Sequence, residues 1–316
     1  MSTGVNIPTN SSEPIENQVI VICGPTSVGK SAVASRLCAT LPSEMLLADA
    51  VQVYRHLDIG SNKPRQEEMI SVPHHLVDIC EPPFENFTAG EFVRTAVPIV
   101  DDIIGRGRLP VFVGGNTMWV QWLMQGTPDA PKGSDDLRKQ VAQQLRELER
   151  AGDWEAGLLL LQKLDSSRAE KLFRNDWYRL SRYLEIAYSL RADDEGRVSK
   201  MEDGSSSSSS TATLQNTRQT HLSAYDVRGF FVTEDREQLY HTIDERCVDM
   251  LTNGLFEEVT SLLQRGLLPP DFIGTKSIGY RQTIRYLVKQ PRTLGDMEAL
   301  EDYIKLVHLS AFSVLI

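Results

Sequence analysis

Apolar and polar positions change rhythm along this chain, and the changes divide it. Val19 to Cys23 form an apolar run short enough for a buried strand, and Ser31 to Leu37 follow with helical spacing. The runs "EMLLA" (44–48) and "RLPVFVGG" (108–115) read as buried parallel strands. Between them, "TAGEFVRTAVPIVDDIIGRG" (88–107) reads as an amphipathic helix, with Thr88 as its N-cap and Gly105 or Gly107 near its end. Strand and helix alternate in this way through the first 125 residues, which predicts an α/β fold, a parallel sheet flanked by helices.

The rhythm then breaks at "GTPDAPKGSDD" (126–136), a turn-rich stretch. From Asp135 to about Leu190 the spacing is helical and no strand candidate occurs, which predicts an all-helical insertion domain. The stretch "EDGSSSSSSTATLQNTRQT" (202–220) has nothing to bury and is expected to be a disordered loop. A strand returns at "YDVRGFFV" (225–232), followed by a helix over 233–254, with Thr233 as cap and Asn253-Gly254 as stop. The expected organisation is a tail over 1–17, the first part of the α/β core over 18–130 and the helical insertion over 131–200. A Ser-rich loop over 201–222 then precedes the second part of the core with its C-terminal helices over 223–316.

Composition narrows the classes. A chain of 316 residues can hold one large α/β domain and a smaller one without covalent staples. Its net charge of −10 argues against a generic nucleic-acid binder, so any RNA contact has to rest on a local basic patch. No apolar run reaches the roughly 18 residues of a membrane span. Cys23, Cys38, Cys80 and Cys247 are scattered, which suggests neither a zinc site nor a disulfide framework and fits a reducing compartment. The first 17 residues contain no Lys or Arg and no apolar block, so they match neither a secretory signal nor an arginine-rich transit peptide. A cytoplasmic location is expected, with mitochondrion or plastid open.

Candidate chemistry begins at "VICGPTSVGKSAVASRL" (21–37), where a strand and a helix flank Gly24-x4-Gly29-Lys30-Ser31. In such a phosphate-binding loop, backbone N–H groups from Gly24 through Thr26, Ser27, Val28 and Gly29 close around phosphate oxygens. Lys30 reaches the same oxygens and Ser31 can hold Mg²⁺. The loop alone does not distinguish a kinase, a GTPase, an ATPase or another phosphate-using enzyme. Asp49 follows the strand 44–48 at the sheet edge where α/β folds place ligands, and serves either as a turn cap or as a proton acceptor. Gly114-Gly115 ends a strand, either as a plain turn or as a close approach to a ligand, with Thr117 offering a hydroxyl. In "LFRNDWYRLSRYLEIAYSL" (172–190), Arg174, Arg179 and Arg182 form either a solvated face or an anion-binding cluster.

Taken together these segments resemble the tRNA dimethylallyltransferase family. "GPTSVGKS", "DAVQVYRHLDIGSNKP" (49–64), "PHHLVDICEP" (73–82), Gly114-Gly115, "RNDWYRLSRYLEI" and "IGYRQ" (278–282) occur in the family's order over roughly residues 18–290. The resemblance implies a P-loop core that transfers a five-carbon prenyl group from dimethylallyl diphosphate to the exocyclic amine of an adenosine beside the anticodon. Lys30, the loop amides and Mg²⁺ on Ser31 would neutralise the leaving diphosphate, and Arg246 in "TIDERC" would add a further contact. Asp49 would take the proton of the attacking amine, with Asn116 in a structural position and Thr117 supplying a hydroxyl.

The family's acceptor adenosine is flipped out of its loop. The resemblance places Arg174, Arg179 and Arg182 on phosphates of the tRNA anticodon stem-loop, and Gln52, Tyr280, Arg281 and Gln282 on the RNA side. From Arg168 to Arg182 there are five basic residues against two acidic, which reconciles RNA binding with an acidic chain. A monomer is expected.

Two features depart from the family pattern. Asn116 stands where Thr is usual, which bears on the active-site hydroxyl, and "AFSVLI" stands where the family continues into a basic helix, which bears on full tRNA affinity and activity. Related adenylate isopentenyltransferases, a small-molecule kinase and a catalytically silent RNA-binding protein are the competing readings.

Overall fold

The structure is a computed structural model, and it describes residues 17–84, 87–127, 133–202 and 221–288. The expected tail before Asn17, most of the Ser-rich loop and the segment beyond Val288 lie outside the described residues. The chain separates into two compact units, residues 1–127 with 219–316, and residues 128–218.

The first unit is built on five strands: β1 (Gln18–Cys23), β2 (Ser43–Leu47), β3 (His74–His75), β4 (Leu109–Gly114) and β5 (Asp226–Phe231). Every pair is parallel and the order is β3-β2-β4-β1-β5. Alternation along each strand sends side chains to two faces. Val19, Val21, Leu46 and Phe112 point into one apolar cluster, while Ile22, Met45, Leu47, Val111 and Val113 point into another. Both faces are covered, so the inner strands read as continuous apolar runs.

Helix α1 (Lys30–Thr40) covers the second face with Ala34 and Cys38. The first face is covered by α3 (Ala89–Gly105) and α4 (Thr117–Gln125), beyond the short α2 (Gln66–Ser71). Phe92, Val93, Ala96, Val100 and Ile103 of α3 recur at helical spacing and are all buried. Thr88 caps α3 as expected, in a reciprocal capping box with Glu91.

In the second unit, α5 (Asp135–Ala151), α6 (Trp154–Gln162), α7 (Ser166–Ala169) and α8 (Trp177–Glu202) surround Val141, Leu145, Leu161, Leu180 and Leu184. Trp154 and Trp177 meet edge to face at 5.1 Å. After β5, the first unit is completed by α9 (Arg236–Thr252), α10 (Leu255–Gln264), α11 (Ile273–Lys276) and α12 (Tyr280–Val288). Helix α9 starts later than its pattern suggests. Asp235, not Thr233, is its cap, its carboxylate accepting from the Glu237 N–H at 2.9 Å.

Candidate active site

The carboxyl ends of parallel strands β1, β2 and β4 carry the three turns singled out in the sequence, and a cavity of about 660 Å³ opens beside them. It is lined by Thr26, Ser27, Gly29, Lys30 and Ser31 of the β1–α1 turn, by Asp49 and Gln52 after β2, and by Gly114 and Gly115 after β4. Arg246 and Thr242 of α9 complete the wall. Gly29 has φ +86°, a conformation that favours glycine, and leads directly into α1 with no side chain capping that helix. Its free N–H groups are therefore left for an anion. Gly114 is required for another reason: a Cβ there would stand 2.1 Å from the Ala48 carbonyl oxygen, so only glycine lets β4 pass β2 at this point.

Two cations meet at the loop. Lys30 Nζ donates to the Pro25 carbonyl, and Arg246 Nη1 donates to Thr26 Oγ1 at 2.6 Å and Ser27 Oγ at 3.4 Å. Burial, followed by the like charge of Arg246, brings the Lys30 ammonium down to about 8, with Asp49 acting in the opposite sense. Burial likewise lowers the Arg246 guanidinium, again opposed by Asp49. Among the described residues neither cation forms an ion pair. Asp49 Oδ1 accepts from the N–H groups of Val51 at 2.8 Å and Gln52 at 3.2 Å, which fixes the plane of its carboxylate. Asp49 thus caps a turn with one oxygen and also lines the cavity.

Other expected residues land elsewhere. Gly24 and Val28 do not line the cavity; Val28 packs against Leu239 and Ile243 of α9. Asn116 is the N-cap of α4, accepting from the Trp119 N–H at 3.3 Å, and Thr117 is exposed in the first turn of that helix. Neither lines the cavity, so the hydroxyl expected from Thr117 is not delivered there. Gln52 does line it, but both bonds from its amide nitrogen go to the carbonyls of Ser61 and Asn62, at 3.0 Å each.

Tyr280 is fully buried and Gln282 is 3% exposed, so neither presents a surface to RNA; Arg281 alone of that segment is exposed. A "GYRQ" motif reads as polar from its letters, and its burial is decided by packing. Ser61, Asn62 and Lys63, within "LDIGSNKP", also line the cavity, although nothing in their local spacing singles them out. In the helical unit Arg174 is exposed, Arg179 pairs with Asp176 at 3.1 Å, and Arg182 pairs with the buried Glu185 at 2.9 Å.

A parallel sheet whose β1–α1 turn carries the phosphate-loop pattern, with Lys30, Arg246 and Asp49 on one cavity, is the arrangement of a P-loop-type α/β protein. The particular lineage comes from comparison with known proteins. A family model described as IPP transferase matches residues 52–309, and one described as isopentenyl transferase matches residues 17–78. The chain is 38% identical to tRNA dimethylallyltransferase 9 of Arabidopsis thaliana, over 96% of this chain and 68% of that protein. It is 39% identical to tRNA dimethylallyltransferase 1 of Syntrophotalea carbinolica, over 85% of this chain and 79% of that protein. Among solved structures, the full-length tRNA isopentenylpyrophosphate transferase of Bacillus halodurans is similar at 27% identity and a TM-score of 0.57, covering 95% of this chain and 86% of that one. The chain belongs to the tRNA dimethylallyltransferase family.

Proposed function

We propose that this chain transfers a dimethylallyl group from dimethylallyl diphosphate to the exocyclic N6 amine of the adenosine 3′ to the anticodon of tRNA, releasing diphosphate. Family membership supports prenyl transfer to tRNA, and one observation carries the chemistry: Lys30 and Arg246 converge on the phosphate loop with no carboxylate among the described residues ion-paired to either. Like charges held together with no counter-ion suit an anion that gains charge during reaction. The leaving diphosphate is such an anion, and preorganised donors aimed at it lower the barrier without reorganising.

Asp49 supplies the other half. With Oδ1 held by two backbone N–H groups, Oδ2 is left to accept a proton from the amine as its nitrogen attacks the allylic carbon. The C–N bond forms as the C–O bond breaks, the proton passes to Asp49, and the electron pair leaves with diphosphate. An aromatic amine is a weak nucleophile, so alignment of the two substrates carries much of the rate.

The donor set fits Mg²⁺. The Ser31 hydroxyl is a hard oxygen donor on the cavity, and this ion keeps most of its shell as water and phosphate oxygens. Ser31 would hold it, and the bound ion would add positive charge at the diphosphate.

The basic run from Arg168 to Arg182 supports contact between the helical unit and RNA phosphates, with Arg174 and Arg179 exposed on it. Four free thiols fit a reducing compartment, a condition that cytoplasm, mitochondrion and plastid all meet.

The test is incubation with labelled dimethylallyl diphosphate and either an anticodon stem-loop RNA or AMP. Label on RNA alone is expected. Label on AMP alone replaces this reading with adenylate prenylation, and ATP hydrolysis without label on either replaces it with a kinase-like activity.

A further inference from the structure

Glu258, on α10, makes contacts unlike those of any other carboxylate described above. Its Oε2 accepts from the backbone N–H groups of Asp58 at 3.0 Å and Ile59 at 2.7 Å; its Oε1 accepts from the Gly60 N–H at 3.1 Å and from the Tyr280 hydroxyl at 2.6 Å. Three consecutive amides of one loop are thus held by a single side chain nearly 200 positions away. The fit is close, because a Cβ on Gly60 would stand 2.6 Å from the Tyr280 ring. Tyr280 is itself fixed at the start of α12, where Gln282 Oε1 accepts from the Gly279 N–H at 2.9 Å and Thr283 Oγ1 donates to the Gly279 carbonyl at 2.8 Å.

The same loop is gripped from its other side. The Gln52 amide donates to the Ser61 and Asn62 carbonyls, and the Lys63 ammonium, 4% exposed, reaches the Tyr54 carbonyl, Asp58 and Asp78. Gln52 also donates its backbone N–H to Asp49 Oδ1. A continuous set of hydrogen bonds therefore runs from Tyr280 through Glu258, the 58–62 backbone and Gln52 to Asp49.

We infer that Glu258 and Tyr280 are positioning residues for Asp49, and that the buried Tyr280 and Gln282 of the "GYRQ" segment act on transfer through this chain of bonds instead of by touching RNA. Three loop amides without their acceptor would seek water, because leaving them unmet costs more than the bonds contribute. As the loop shifts, its carbonyls release the Gln52 side chain, and the carboxylate plane that Gln52 helps to hold is loosened. Reaction rates are sensitive to displacements of this kind even when binding is not.

The catalytic half of this inference rests on the prenyl-transfer reading; the structural half does not, and two measurements on the full chain separate them. In Glu258→Gln, hydrogen exchange at the amides of residues 58–60 should accelerate by at least about tenfold while amides of β1 and β4 keep their protection. In single turnover at saturating donor and RNA, the same variant should transfer about tenfold more slowly, with RNA affinity within about twofold of the parent. Tyr280→Phe, which removes one bond of the four, should move both readouts in the same direction by less. Glu257→Gln, on the exposed neighbour, should move neither. Unchanged exchange at 58–60 overturns the inference. So does a loss of RNA affinity with an unchanged single-turnover rate, which would return "GYRQ" to the RNA. If the parent chain transfers no prenyl group to any RNA, the functional reading fails, and the exchange measurement alone still decides the chain of bonds.

Discussion

The two ends of β2 treat charge in opposite ways. At the amino end, Glu44 is 3% exposed and is met by two arginines and a histidine. Arg106 forks onto both its oxygens at 2.5 and 3.0 Å, Arg108 Nε lies 2.8 Å from Oε1, and His75 Nε2 lies 2.7 Å from Oε2. The guanidinium of Arg106, above all, holds the Glu44 carboxyl down to about 2. At the carboxyl end the balance is reversed, with Lys30 and Arg246 facing one carboxylate, Asp49, which is already tied to backbone amides. One end satisfies its charge internally and holds the sheet together. At the other, among the described residues, Lys30 and Arg246 form no ion pair, which is the arrangement the proposed diphosphate would use.

Substitutions should separate the two ends. The largest effect is expected from Asp49→Asn, which should lower transfer about a thousandfold while RNA affinity stays near that of the parent, measured by single turnover beside a binding titration. Equal losses in both would contradict its role as proton acceptor. Arg246→Ala should slow transfer about a hundredfold and weaken binding of inorganic diphosphate, with little change in melting temperature.

At the opposite end, Glu44→Gln should lower stability and leave diphosphate binding unaltered, because it removes the carboxylate charge that Arg106 and Arg108 both face. Calorimetry and a diphosphate titration on the same sample check both parts. The Glu44 carboxyl titrates lower in the folded chain than its ordinary 4.5, so its contribution is complete above that value and is lost as pH falls toward about 2. Acid unfolding of the parent should therefore show a stabilising contribution that the variant lacks.

The smallest effect is a pH dependence at the site. Lys30 titrates at about 8 in the unliganded protein, and a bound dianion would raise that value. Between about pH 8 and the ordinary lysine value near 10.4, binding takes up a proton, so diphosphate affinity should fall by up to about tenfold per pH unit. Lys30→Arg, charged throughout, should show a shallower slope that reports only the titration of diphosphate itself. Folding stability carries the opposite sign over the same window. The unfolded chain holds more protons there than the native one, so the Lys30 contribution becomes less unfavourable as pH rises.

Local chemistry made much of this legible in the letters. The strands β1, β2 and β4 are apolar runs because both faces of the sheet are covered, and the helix over 88–107 announced itself by spacing and by Thr88. Lys30, Ser31 and Asp49 sit at the ends of those strands, so their place on one edge followed from a parallel sheet. Arg246 was placed by resemblance, since nothing in the periodicity of α9 distinguishes it from a surface residue. What could not be read was whatever depends on contact between distant segments. Asn116 and Thr117 follow Gly115 directly, yet the turn into α4 spends the amide of one on a cap and leaves the hydroxyl of the other away from the cavity.

Spacing within a few residues is enough to fix the alternation of strands and helices and the phosphate loop, whereas parallel pairing through β4 brings Asp49 beside that loop. Packing between distant segments, by contrast, makes Tyr280 and Gln282 interior and lets Glu258 hold a loop nearly 200 residues earlier in the chain. It also decided that Gln52 has its amide committed before any ligand arrives. Hydrogen-bond partners are assigned by the fold, because an unmet polar group in the interior takes whichever partner packing brings within reach.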